Sequence, residues 1–163
     1  METKGAQGKV IIKIKNQIMK NEYLRHTLAT IEYRFQKSVK YAGDDFGDFT
    51  IGKGSRTPIE IINHMYQVLN GTRIYILEER RQKGIHEKIN LKLEIDRFSA
   101  ELKNLDKVFS QKELEMKYSK RLFQGPLSDI LTHIGQISML SRLNNNPIEG
   151  EDFSAALIET GIF

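Results

Sequence analysis

The feature that most constrains this fold is the spacing of apolar residues, which repeats every three or four positions. The repeat is clearest in one segment, where the steps are four, three, four, three and four: Leu91, Ile95, Phe98, Leu102, Leu105 and Phe109. This period places the apolar side chains on one face of a helix. Such a seam favours helices packed at a shallow crossing angle. Only three prolines occur in 163 residues, which leaves room for long helices.

Three further segments carry the same helical period. They cover residues 10–42, 57–82 and 126–143. No segment shows the two-residue alternation of a half-buried strand. Four helices of this length predict an all-α, four-helix bundle that forms one domain over residues 10–163. Residues 1–9 have two glycines and no apolar period, so they are predicted to be a flexible tail.

Residues at the segment boundaries predict caps, short helices and a loop. A capping box pairs a hydroxyl residue with a glutamate three positions later, and two are present: Thr57–Glu60 and Ser110–Glu113. The second box predicts a short helix that ends near Leu122. Asp152 is the expected N-cap of another short helix over residues 153–159. Residues 43–55 hold four glycines and three aspartates and are predicted to be a loop.

Composition excludes several classes of protein. The chain has no cysteine, which excludes a disulfide scaffold, an iron–sulfur centre and a protein thiol nucleophile. The net charge is only +4, and the basic residues are spread over all helices and interleaved with acidic ones, as on ordinary solvated faces, so no nucleic-acid partner is predicted. Neither a leader pattern nor a long uncharged apolar run is seen, so no membrane association is predicted and a cytoplasmic protein is expected.

Histidine positions provide the first candidates for chemistry. His26 lies off the apolar face of its helix and His86 lies in a polar link, so both are predicted to be solvated. His133 borders the buried face of the last helix, and Asp129 stands one turn before it. Residues at this spacing share a helix face, which lets an imidazole and a carboxylate hold one metal ion. Gln136 is on the same strip and is placed to orient a ligand.

A second helix can complete this site. His64 lies beside the apolar face of its helix, so it meets Asp129 and His133 if the second and last helices face one another. Two imidazoles and one carboxylate with open positions suit a catalytic metal. Each residue also has a purely structural explanation, because a carboxylate is favoured in a first helical turn and partly buried histidines are common. Glu60, one turn before His64, is a competing carboxylate that its capping role explains.

Two stretches of the chain resemble the DinB/YfiT-like family of four-helix-bundle proteins: RTPIEIINHM from Arg56 and FQGPLSDILTHIGQISMLSRLNNNPIEGEDF from Phe123. That family has a histidine on its second helix and a histidine pair one turn apart on a late helix, followed by a Gly-Gln-Ile element. Here His64 matches the first position and His133 the last, while Asp129 stands at the middle one. The trailing element is present at residues 135–137.

The resemblance implies a divalent metal ion held by His64, Asp129 and His133. Zinc or nickel is expected, and the carboxylate of Asp129 extends the set to iron and manganese. The resemblance also implies a homodimer. The implied activity is that of a thiol-dependent transferase that uses a low-molecular-weight thiol such as mycothiol or bacillithiol, or that of a metal-dependent hydrolase. The loop at 43–55 and the segment at 149–153 are expected to line the substrate pocket.

A non-catalytic protein is the alternative. The same bundle would then be a dimeric protein with a stress-response or binding role and a degenerate metal site. The apolar seam at 91–109 and the apolar residues at 155–163 would serve its interface. In that case the three candidate ligands are expected to be splayed apart or their cleft filled.

Overall fold

Four long helices make up most of the described chain, which in this computed structural model is residues 3–80, 87–161 and 163, with side chains from residue 21 onward. The helices are α1 (Thr3–Val39), α2 (Pro58–Glu78), α3 (Leu91–Gln111), the short α4 (Met116–Leu122) and α5 (Ser128–Leu143). The predicted all-α class with four long helices is confirmed. The first helix starts earlier than predicted, so the backbone of residues 3–9 is helical.

The predicted apolar faces form the core. The periodicity also identifies buried core side chains on α1, α2, α5 and the turn that precedes α5: Leu24, Leu28, Ile31, Phe35, Val39, Ile62, Met65, Leu69, Ile76, Leu127, Ile130, Ile134, Ile137 and Leu140. The rings of Phe35 and Phe98 meet at the centre with centroids 4.5 Å apart. Phe46 is also fully buried, and it belongs to a short 3-10 turn, Phe46–Asp48, inside the predicted loop. Every helix in the described part of the chain is too short or too polar to cross a bilayer.

The helices do not pack in chain order. α1 contacts α3 and α5, and α2 contacts the same two helices, so α1 and α2 occupy opposite corners. Asn63 of α2 bonds to Glu94 of α3, and Arg73 bonds to Glu101, so these two neighbours run parallel. Parallel neighbours need a connection that returns along the bundle. Residues 79–90 join the two helices in the sequence, and the structure describes residues 79–80 and 87–90 of them.

The N-terminus of α2 has the predicted capping box, but the helix ends earlier than predicted. Both hydrogen bonds of the Thr57–Glu60 capping box are present, with proline at the first helical position. The helix ends at Glu78 rather than near residue 82. Glu79 adopts a left-handed conformation with φ of 55°, which terminates the α-helical hydrogen bonding.

The second predicted capping box, Ser110–Glu113, is wrong. α3 continues to Gln111, and the Ser110 hydroxyl donates to the carbonyl of Lys107 one turn earlier. A serine inside a helix commonly returns its hydroxyl to its own backbone in this way. α4 begins instead at Met116.

The chain around and beyond α5 also departs from prediction. Residues 123–127 form a π-helical turn that includes a proline, and α5 follows it at Ser128. Residues 153–156 form turns and bends and residues 157–159 are irregular, so this segment is not a helix. The Asp152 carboxylate accepts a hydrogen bond from the backbone N–H of Ser154, which makes an Asx turn instead of a helix cap. The predicted C-terminal helix is therefore wrong.

Three acidic side chains of α3 are buried, each beside an arginine: Glu94 with Arg97, Glu101 with Arg73, and Asp106 with Arg25. The interleaved charges of the sequence predict solvated faces, and these three buried carboxylates depart from that prediction. Glu94 and Glu101 are seven residues apart, so they share one face beside the apolar seam. That spacing is the signal that could have identified them.

Glu94 joins three parts of the structure. Its carboxylate accepts hydrogen bonds from the Asn63 side chain at 2.9 Å, the Ile89 backbone N–H at 3.1 Å and Arg97 Nη2 at 2.6 Å. These donors lie on α2, at the end of the long connection and on α3. The three donors offset the cost of burying the charge.

Replacing the Glu94 charge should destabilise the protein strongly. We expect Glu94→Gln to lower the free energy of unfolding by about 3 kcal/mol, because Arg97 is left without its buried partner. Asp96→Asn is the matched control, since Asp96 forms an exposed ion pair with Lys92 on the same helix, and it should cost less than about 1 kcal/mol. Urea denaturation of both variants measures the difference. Equal losses would contradict the structural role of Glu94.

Candidate metal centre

α2 and α5 bring the three predicted ligands together. His64 lies in the second turn of α2, and α5 carries Asp129 in its first turn with His133 one turn later. Nε2 of His64 is 3.6 Å from Oδ2 of Asp129, and Nε2 of His133 is 3.5 Å from the same oxygen. The two imidazole rings are edge to face with centroids 4.9 Å apart. One ligand atom from each residue lies within 4.8 Å of the other two.

These separations fit a metal ion. Zinc bonds to nitrogen and oxygen are about 2.0–2.1 Å, so neighbouring ligands of a tetrahedral ion are about 3.4 Å apart. Two of the three ligand pairs are 3.6 and 3.5 Å apart. Both distances exceed a direct hydrogen bond of about 2.7–3.2 Å. The group can therefore hold a divalent ion, and its two nitrogens and one oxygen suit several first-row metals.

Gln136 orients the His133 ring. Its Oε1 lies 3.0 Å from Nδ1 of His133, less than one turn away on α5. When Nδ1 carries the proton and donates it to this oxygen, Nε2 presents its lone pair toward Asp129. A ligating histidine usually has such a partner on its other nitrogen. The buried position of His133 further restricts the ring.

The electrostatic environment favours the neutral form of His64. Its pKa lies below the ordinary value of 6.5, mainly because the ring is partly buried and also because Arg56 and His133 are close. Asp129 acts in the opposite direction but does not outweigh these effects. Neutral imidazole is the form that binds metal.

The other candidates do not join this group. The Glu60 carboxylate accepts from the backbone N–H of Thr57 and from Lys88, as its capping role predicts. These bonds lower the pKa of Glu60. His26 is exposed on α1, as predicted, and lies near the hydroxyl of Thr160. The prediction for His86 falls outside the described residues.

A groove of about 400 Å³ adjoins His133. Its walls come from the end of the loop, from α2 and from α5: Ile51, Ser55, Arg56, Ile61, His133, Gln136, Met139 and Leu140. The loop at 43–55 therefore contributes a wall of this groove. The segment at 149–153 does not, because Glu149 and Glu151 line a different cavity, of about 910 Å³, between α1, α3 and the C-terminal residues.

Arg56 was not predicted as a wall of this groove, and Ser55 was predicted only as the last residue of the loop at 43–55. Ser55 and Arg56 immediately precede the N-cap of α2, the helix that carries His64. A polar pair at that position is brought close to the first turns of the helix. This proximity to Thr57 is the signal that could have identified them.

Comparisons with known proteins gave no match to this chain, whether against protein-family models, curated proteins or solved structures. The geometry on α2 and α5 is therefore the observation that bears on function.

We expect the His64 imidazole of metal-free protein to titrate below pH 6.5, as measured by NMR. Because its folded-state pKa is below the unfolded value, the folded protein resists protonation. Its contribution to stability is complete above the unfolded pKa and is lost as the pH falls from that value through the folded-state pKa.

Arg56→Gln removes a nearby positive charge and should raise the His64 pKa toward its ordinary value. Lys53→Gln removes an exposed positive charge from the same loop. It should leave the titration unchanged. A His64 midpoint at or above 6.5 in the wild-type protein would contradict this description of the site.

Proposed function

We propose that this protein is a divalent-metal-dependent enzyme of the DinB/YfiT-like type whose ion is held by His64, Asp129 and His133. The supporting observation is that two helices, distant in sequence, bring two imidazole nitrogens and a carboxylate oxygen to separations that suit one ion. The Gln136 contact, which leaves Nε2 of His133 free to bind, adds to this support.

Accessibility favours a catalytic rather than a purely structural site. Three protein ligands leave at least one position open. The side chains of His64 and Asp129 are 35% and 48% exposed, so a small molecule can reach them. His133 is 11% exposed and lies at the groove. A divalent ion in such a site lowers the pKa of a bound water or thiol and so provides a nucleophile at neutral pH.

The proposed reaction class is thiol-dependent transfer or hydrolysis. The chain contains no cysteine, so in a transferase the thiol comes from a low-molecular-weight cosubstrate. In a hydrolase the nucleophile is water. The protein's own residues bind the ion, fix the orientation of His133 and hold the substrate in the adjoining groove. Zinc or nickel is the proposed metal, and iron or manganese would also accept this donor set.

Metal content tests the proposal directly. Elemental analysis of untagged wild-type protein should find about one divalent ion per chain. His133→Ala and Asp129→Asn should each lose the ion, with affinity reduced by more than about 100-fold, because each removes a ligand. Calorimetric titration with zinc, nickel, iron(II) and manganese measures the affinity.

Two variants provide matched controls for metal binding. His26→Ala removes an exposed histidine from α1. Glu60→Gln makes the same carboxylate-to-amide change as Asp129→Asn, and glutamine can still complete the capping box. Both should bind the ion as the wild type does. A wild-type protein that neither contains nor takes up any of these ions would contradict the proposal and favour the non-catalytic dimeric bundle.

Gln136 should act as a positioning residue. Gln136→Leu removes the acceptor for Nδ1 of His133 and should weaken metal binding by about 10–100-fold. Gln136→Glu keeps an acceptor at the same place and should restore the affinity. Competition with a chromophoric chelator measures both. Equal affinities in the two variants would show that the contact does not orient the ring.

A further inference from the structure

We propose that the groove beside the metal centre binds the carboxylate of an amphipathic small-molecule substrate through the Arg56 guanidinium and the Ser55 hydroxyl. The inference rests on the proposed function, because the groove lies against His133. It names the chemical class of the substrate, which the metal site alone leaves open.

Arg56 is a cation without a partner carboxylate. Several partly buried arginines elsewhere pair with acids, as Arg73 does with Glu101. No carboxylate in the described part of the chain pairs with Arg56, whose side chain is exposed at the groove. A planar guanidinium donates two parallel hydrogen bonds to a carboxylate. It is therefore available to a ligand.

Ser55 provides an independent observation. Its Oγ is buried and has no hydrogen-bond partner in the described structure. Leaving a buried hydroxyl unpaired is unfavourable. The same residue lines the groove beside Arg56. A ligand oxygen bound at Arg56 would satisfy this hydroxyl.

The remaining walls define the rest of the ligand. One cation and one hydroxyl match a single negative charge, whereas a phosphate dianion is usually held by several donors. The other lining residues are mostly apolar: Ile51, Ile61, Met139 and Leu140. A volume of about 400 Å³ is within the range of small-molecule pockets. The occupant is thus a carboxylic acid with a short apolar chain.

Hydroxamates test the inference because the hydroxamate group binds a metal ion. The probes are monohydroxamates of linear dicarboxylic acids, each compared with the neutral alkanohydroxamate of the same chain length. Calorimetry on metal-loaded protein should show that the probe with the free carboxylate binds roughly tenfold more tightly than the neutral probe at the best chain length. Arg56→Gln should remove this advantage and leave the affinity of the neutral probe unchanged.

Two further variants distinguish binding at a specific site from a general electrostatic attraction between the protein and the carboxylate. Lys53→Gln should keep the preference for the acid, because this lysine does not line the groove. Ser55→Ala should reduce the preference and leave the melting temperature of the ligand-free protein unchanged or higher. A lower melting temperature would show that the hydroxyl already has a partner and would contradict its role.

Failure of this inference and failure of the metal proposal are distinguishable. Metal-loaded protein that binds the acid and the neutral probe equally, or binds neither, overturns the carboxylate site and leaves the metal centre standing. A preference for the carboxylate-bearing probe that persists in Arg56→Gln also overturns the carboxylate site and leaves the metal centre standing. A protein that takes up no metal overturns both proposals.

Discussion

The buried carboxylate of Glu94 holds α2 in register with α3. It accepts from Asn63, which directly precedes His64 in the chain. A charge in an apolar core is tolerated only while its hydrogen bonds are made, so α2 cannot slide along α3 without a large cost. Adjacent residues on a helix point about 100° apart. One face of α2 is thereby fixed to α3, while the next residue is presented to α5. The position of His64 thus depends on a charge outside the candidate metal centre.

The groove and the candidate metal centre share one base, which the loop at 43–55 and α2 form. The loop at 43–55 is anchored by the fully buried ring of Phe46 and packs on α2 through its 3-10 turn. The chain then passes through Ser55 and Arg56 into the capping box that starts α2. The wall that would recognise a substrate and the helix that carries His64 therefore form one continuous piece, as accurate positioning of a reacting group requires.

The sequence predicted what local patterns encode. Apolar periodicity identified the four long helices and most of their buried residues, and the four-residue step from Asp129 to His133 identified two residues on one face. The packing order was not predictable, because an apolar stripe does not specify which helix covers it. The burial of Glu94 was missed because its partners, Asn63 and Arg97, come together only in the tertiary structure. Ser110 resembled a cap because serine also returns its hydroxyl within a helix.

The packing order also affects how the chain reaches this structure. The neighbours of α1 are α3 and α5, so its contacts join distant segments: Arg25 and Asp106 are 81 positions apart, and Asn21 reaches the Phe109 carbonyl across 88. Helical proteins with mostly local contacts fold fastest, because small loops close first. During synthesis from the N-terminus, α1 emerges with its apolar face uncovered and remains so until α3 has been made. The arrangement that places His64 beside Asp129 therefore prolongs the stage at which the nascent chain can aggregate.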